Sequence, residues 1–338
     1  MRCFKSFINV VLFIGLVTTV VLAEDRFMPS DNKNLAVIYT FNEENDKEFN
    51  SFLENDLKKI GFFLNDPHKR VNDVYEKNFG STSLETISFS PVLNESVVRP
   101  LLTKDPRLGG FSPFNLVHYR KKSDKKTVIT HLTPEVILDI LEIDDEEIKE
   151  KYIASFKPLD NLIKEKFGGE KSYLPLVGLT KDRMMNFEIA FDEPEDIDEL
   201  LNEFRDNIEY AFLTKGYIIA GFYNIKESFN SDDNVMEDFA SFWSYSLCHL
   251  PFSYAVFDGE NPIPEAGIFA PCSVYMYVKE GENKLVIGMP TLRTWAVALG
   301  ITDREKLKKI VQLDEEIPEI FKSLGAVAIP NGNPLLSE

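Results

Sequence analysis

The hydrophobic positions of this chain fall into short blocks whose spacing switches between the period of a strand and that of a helix. Residues 35–41 are a run of β-formers and predict a strand. Phe49, Phe52, Leu53, Leu57 and Ile60 then recur at helical spacing, with Asn42 placed to cap that helix and Gly61 to end it. Residues 62–64 predict a second strand. Val71, Val74, Tyr75 and Phe79 predict a short helix closed by Gly80, and residues 84–90 a third strand. A helix or turn over 93–102, a hairpin over 114–132 and a helix from Pro134 through Leu141 complete the first half.

The second half repeats that order. Residues 187–191 predict its first strand, and Ile197, Leu200, Leu201 and Phe204 its first helix. Gly216 precedes a strand at 217–223, followed by a weak helix at 235–239 and a strand at 242–247. A loop rich in glycine and proline, 258–271, leads to a hairpin at 272–289 and a last helix that starts near Leu292 and carries Trp295. The repetition reaches residue identity. Shifted by 158 positions without a gap, Pro106, Gly109, Phe111, Pro113 and Tyr119 fall on Pro264, Gly267, Phe269, Pro271 and Tyr277. Lys121, Lys126, Val128 and Ile129 likewise fall on Lys279, Lys284, Val286 and Ile287, and upstream Ser88 and Val98 fall on Ser246 and Val256. The chain thus reads as two homologous modules, each β-α-β-α-β-loop-β-β-α. The fold class is α+β, a mainly antiparallel sheet packed with helices.

Between the copies, residues 143–167 read as a charged helix pair interrupted at Pro158, with Gly168, Gly169 and 175–178 as the linking segment. The organisation is then a leader at 1–23, a first module with a helical extension at 34–166 and a linker at 167–182. A second module follows at 183–326, with a C-terminal tail at 327–338. The acidic run Asp144, Asp145, Glu146 and Glu147 predicts a helix start, where carboxylates meet the positive end of the dipole. It lacks the glycine and the spaced ligands of a calcium loop.

A length of 338 residues and 44% hydrophobic content allow two sizeable cores. The N-terminus carries Arg2 and Lys5, an apolar stretch at 7–17 and small residues at 21–23 before Glu24, which together predict a secretory signal peptide cleaved after Ala23. An uncleaved anchor is the alternative, because 7–23 is about as short as a bilayer span can be. Cleavage implies a periplasmic protein and takes the net charge from −18 to −20 by removing Arg2 and Lys5. So acidic a body repels phosphate backbones, which excludes nucleic acid as a partner. No later stretch reaches the length of a membrane span.

The mature chain would keep two cysteines, Cys248 and Cys272, and an even pair in an oxidising compartment predicts a disulfide. At the shifted positions the first copy has Ser90 and Phe114, so both cysteines are missing together, as a paired role predicts. A redox pair, thiolate ligands working with His249, and buried free thiols stay open beside it, although no Cys-x-x-Cys motif occurs. A second constellation lies in the hairpins. A two-residue turn near Asp124 would set His118 opposite His131, where the second copy holds Met276 and Met289. Such His and Met pairs suit a soft metal such as copper, or haem iron. Ordinary packing of a half-buried sheet face accounts for the same residues. Covalent haem attachment is excluded by the lack of Cys-x-x-Cys-His.

Residues 102–115, with Asp105, Pro106, Gly109 and Pro113, resemble a repeated signature of small bacterial domains, as do Leu247, Cys248 and His249 followed by 271–275. That signature is similar to the domain of unknown function 302 family, and the likeness covers about 35–141 and 187–299. The resemblance implies a compact α+β domain, often exported and often self-associating, here as an intramolecular pseudo-dimer. It implies no established activity and supplies no catalytic residues.

Enzyme signatures are missing: no P-loop, dinucleotide fingerprint, Gly-x-Ser-x-Gly elbow or His-Glu-x-x-His occurs. Asp192, Glu193, Glu195, Asp258 and Glu260 read as solvated carboxylates. Phe242, Trp243, Tyr245, Tyr275 and Tyr277 read as core, interface or the wall of a pocket. Three functions follow. The first is a non-catalytic binding or accessory protein that takes a small ligand or a periplasmic partner in a groove between modules. The second is a metal- or haem-handling protein built on His118, His131, Met276 and Met289. The third is a thiol redox protein built on Cys248 and Cys272.

Overall fold

Two six-stranded antiparallel sheets of matching strand order dominate the computed structural model, which describes residues 26–27, 33–42, 45–227 and 235–332. The predicted signal peptide lies outside the described residues, as does the tail beyond residue 332. The first half contains β1 (Arg26–Phe27), β2 (Asn34–Phe41), α1 (Asp46–Ser51), β3 (Phe62–Leu64), α2 (Val71–Phe79), β4 (Leu84–Asn94) and α3 (Glu95–Leu102). It continues with β5 (Phe114–Lys121), β6 (Thr127–Leu132), α4 (Pro134–Ile140), α5 (Glu146–Phe167), β7 (Glu170–Pro175) and β8 (Leu179–Thr180). The second half contains β9 (Met184–Ala190), α6 (Ile197–Thr214), β10 (Ile218–Asn224), β11 (Phe239–Cys248) and α7 (Leu250–Phe257). It ends with β12 (Cys272–Lys279), β13 (Lys284–Pro290), α8 (Leu292–Leu299), α9 (Arg304–Ser323) and β14 (Val327–Ala328). The sheet orders are β3-β4-β5-β6-β2-β7 and β10-β11-β12-β13-β9-β14. The protein is therefore α+β, with two similar modules.

One face of each sheet is covered by its own helices. Phe49 of α1 stacks on His118 and Phe156 of α5 on Phe114, while Phe321 of α9 packs on Phe187. The other face meets the neighbouring module, so β5 and β6 are buried almost throughout instead of alternating. The contact is reciprocal and uses the repeated signature. The 3-10 turn Pro106–Phe111 lies on β12 and β13, and its counterpart Pro264–Phe269 lies on β5 and β6. A Cβ on Gly109 would stand 2.5 Å from Tyr275 Cβ, and one on Gly267 would stand 2.7 Å from the Phe89 ring. Only glycine lets the backbone come this close. Asn115 Nδ2 donates to the Gly267 carbonyl at 2.7 Å, and the bonds before Pro113 and Pro271 are both cis.

Several expectations are corrected by the pairing. Ser88 pairs with His118, whereas Trp243 pairs with Met276, so Trp243 and not Ser246 stands where Ser88 does. The gap-free match fails upstream because three residues separate α3 from its turn and six separate α7 from its turn. Cys248 therefore corresponds to Leu93, not to Ser90. Residues 143–167 are no interrupted pair: α5 is one helix that contains Pro158, which forgoes a single backbone bond, and it matches α9 of the second module. Within the expected linker, β7 pairs with β2 as an edge strand and β8 pairs with β1. The weak helix at 235–239 is a turn followed by β11. Asn42 caps nothing. α1 begins after Asn45 and passes through a π turn (Phe52–Asp56) and a 3-10 turn (Leu57–Ile60) to Gly61, which has φ 80°.

Candidate functional site

An apolar cavity of about 210 Å3 lies where the two modules meet. From the first module, α2 contributes Val71, Val74 and Tyr75, one face at helical spacing. His68 and Phe89 join them and pair as a short bridge, His68 N–H to Phe89 O at 2.8 Å and Phe89 N–H to His68 O at 2.9 Å. From the second module come the start of β10, the end of β11, α7, the Pro271 and Cys272 corner, and Trp295 of α8. His68 fixes the two walls to each other. Its Nε2–H donates to the Ala220 carbonyl at 2.6 Å, at the point where β10 bulges between Ile219 and Gly221. Asp258, expected as a solvated carboxylate, is instead buried and clamps the modules nearby, accepting from Ser83 N at 2.5 Å and Ser83 Oγ at 2.6 Å. It belongs to the inserted segment after α7.

Comparison of the modules explains why the cavity exists on one side. At the place of Cys248 the first module has Leu93, and at the place of Cys272 it has Phe114. Phe114 is fully packed, stacked on Phe156 at 4.5 Å and edge-on to Phe62 at 6.3 Å. Two thiols in place of a leucine and a phenyl ring remove volume that nothing else refills. Asp314 replaces Phe156 in the second module, and the reason is local. The first-turn residues of α8, Leu292 and Arg293, donate their backbone N–H groups to Asp314 at 2.7 and 2.8 Å. The equivalent of Leu292 is Pro134, which has no N–H to satisfy.

Cys248 and Cys272 are free thiols, and the predicted disulfide is absent. The register partner of Cys272 is Leu247 and that of Cys248 is Ile218, so the two cysteines sit one position out of step. Burial pushes the Cys272 thiol far above its ordinary range, with the neighbouring Cys248 and Asp314 adding to the effect. Burial also raises Cys248, against a hydrogen bond from Ser253. His249 is held below its usual value, first by burial and then by Lys309, with Glu316 opposing. Neutral thiols beside a neutral imidazole make poor nucleophiles and poor metal ligands at neutral pH. Among the described residues no Lys, Arg, Asp or Glu lines the cavity.

The four residues expected to bind a metal are not brought together. His118 pairs with Ile129 and not with His131, because the turn between Lys121 and Thr127 is centred one residue earlier than expected and shifts the strands by two. His118 stacks on Phe49 at 4.4 Å and its Nε2 meets Asn45 Oδ1 at 2.9 Å, while burial, with Arg120 adding, pushes its pKa down to about 3. His131 Nε2 reaches Asp160 Oδ1 of α5 at 3.1 Å, and the same carboxylate accepts from Tyr39 at 2.7 Å and Lys171 at 3.1 Å. Burial opposes the ionisation of Asp160, but hydrogen bonds from His131, Tyr39 and Lys171 prevail and hold it far below the usual carboxylate range. In the second module Met289, Pro318 and Phe187 occupy the places of His131, Asp160 and Tyr39. A polar clamp has been exchanged whole for an apolar one, which accounts for the methionine without a metal. Met276 and Met289 are both buried in the core. Among the described residues no group of three or more His, Cys, Asp or Glu is placed to hold an ion.

The remaining sequence candidates are structural. Asp145 caps α5 by accepting from Ile148 N at 2.9 Å, as its acidic run predicts. Phe242, Trp243, Tyr245, Tyr275 and Tyr277 are buried core residues, and none of them lines the cavity. Trp295, Phe252 and His68, which do, carried no motif. The available signal was the exchange of a large residue for a small one at Phe114 and Cys272.

No protein-family model matches the chain, and no curated protein matches it. Among solved structures it is similar to the crystal structure of an uncharacterized conserved protein, DUF302, from Bacillus stearothermophilus. The identity is 20% and the TM-score 0.33, over 38% of this chain and 97% of that one. Among the described residues no helix is long and apolar enough to cross a membrane.

Proposed function

We propose that this chain is an exported, non-catalytic binding protein whose two modules, each of the domain of unknown function 302 kind, hold a small apolar ligand between them. The single observation that carries the reading is the cavity of about 210 Å3, walled by both modules and opened by Cys248 and Cys272 where the other module is filled by Leu93 and Phe114. An apolar cavity of about 150 Å3 is large enough to take benzene, so this one has room for a substituted ring. The neutral thiols and imidazole favour binding over chemistry. The leader predicted at 1–23 supports export.

The test is a fluorescence titration of the mature chain with the neutral dye 1-naphthylamine. Saturable one-to-one binding is expected. Cys272→Phe, which installs the side chain of the first module, should abolish binding while circular dichroism shows the fold retained. A wild-type protein that ignores the dye, or a folded Cys272→Phe protein that binds it equally well, overturns the reading.

A further inference from the structure

We infer that the ligand of this cavity is a neutral, ring-sized molecule bearing one oxygen that accepts a hydrogen bond from Trp295 Nε1, an inference that rests on the cavity being a binding site. Trp295 is 4% exposed, lines the cavity and stacks on Phe269 at 5.2 Å. Its indole N–H can only donate, and it has no partner. A buried donor left unpaired keeps the whole cost of its lost hydration, a penalty an aliphatic side chain would avoid. The first module has that aliphatic residue, Ile137, at the same place. His249 Nδ1 is a second buried, unpartnered polar atom on the same wall. With the Tyr75 hydroxyl, which is also buried, unpartnered and in the lining, three orphaned groups in a mostly apolar wall match a ligand that is apolar in bulk and polar at one end.

The lining also sets the ligand's charge. With no Lys, Arg, Asp or Glu around it among the described residues, an ion entering the cavity would lose its hydration without a carboxylate, ammonium or guanidinium to offset it. A net charge of −18 further repels anions. The mouth is apolar as well: Val74 and Ile218 line the cavity while remaining 43% and 45% exposed.

Three probes of similar size separate the terms: acetophenone, which has the oxygen; ethylbenzene, which lacks it; and benzoate, which is charged. Each is titrated into the full mature chain labelled with nitrogen-15, following the indole N–H resonances. Trp243 is the internal reference, since its Nε1 is also unpaired but it lies in the core away from the cavity. Acetophenone should bind about fivefold tighter than ethylbenzene or better, as one hydrogen bond to a buried donor allows. It should also move the Trp295 indole proton downfield and leave Trp243 in place. Benzoate should not bind over the same range, and Trp295→Phe should erase the preference while circular dichroism shows the fold intact. Ethylbenzene is the more apolar probe, so a cavity without a donor reverses the order. Equal or tighter ethylbenzene binding, or acetophenone binding that leaves the Trp295 resonance unmoved, sinks the inference while the cavity reading survives. So does a protein that binds the naphthylamine dye and none of the three probes. A protein that binds neither dye nor probes loses both.

Discussion

Replacing Gly109 with alanine tests whether the modules hold each other through their glycine turns. The new Cβ would lie 2.5 Å from Tyr275 Cβ and 2.8 Å from its Cγ. Carbon atoms attract at about 3.5–4.0 Å, so the overlap is about 1 Å or more. Tyr275 has nowhere to go. It is fully buried, its ring stacks on Phe242 at 6.3 Å, and its tip fills the space beside Gly288 where a Cβ would otherwise stand. The strain must fall on the backbone of the turn or on the contact between modules. Overpacking costs about 1–3 kcal/mol, and a neighbour without a flexible end places Gly109→Ala near the top of that range. Gly110→Ala is the internal comparison. Its Cβ would meet Leu141 Cδ2 at 2.8 Å and the Pro290 ring at 3.3 Å, and a leucine methyl can rotate away, so about 1 kcal/mol is expected. Thermal unfolding followed by circular dichroism reads both, at roughly 2–4 °C per kcal/mol for a chain of this order of size. Gly109→Ala should melt well below Gly110→Ala. Equal melting temperatures, or the reverse order, would refute the reciprocal clasp.

Three further outcomes are expected. Asp314 is pushed up to about 6, chiefly by burial, against the Leu292 and Arg293 N–H groups that it accepts from. Its folded value lies above the ordinary 3.8, so the stability it lends is full below about pH 4 and is lost as the pH rises through 6. Asp314→Asn should therefore gain on wild type in urea midpoint between about pH 4 and 7, and a difference that ignores pH counts against this assignment. Expressed from its full sequence in a Gram-negative host, the protein should be recovered from the periplasm with the intact mass of a chain starting at Glu24. Iodoacetamide should add two groups to it in urea and few in the native state, where both thiols are raised by burial. A full-length mass, or rapid native labelling, would count against export and against inert thiols respectively.

The hairpins were legible because their strands carry dense β-formers between turn residues, as the match of 114–132 to β5 and β6 illustrates. The signature at Pro106, Gly109 and Pro113 was legible as a repeat, but its purpose was not. Gly109 is glycine because of Tyr275, more than 150 residues away. The thiol pair misled for a related reason. Aligning Cys248 with Ser90 assumed an unbroken register, and three inserted residues after α7 move it to Leu93. His118 and His131 misled through the hairpin turn, whose centre decides cross-strand partners and which no residue between Lys121 and Thr127 announces.

Local spacing and residue chemistry were enough, without coordinates, to establish two α+β modules, because period and turn residues act over a few positions. The cavity, the clamp at His68 and Ala220, and the solitary Trp295 donor were decided only when the modules packed. A void is the difference between volumes that fold together from distant segments, and no stretch of chain records that difference by itself.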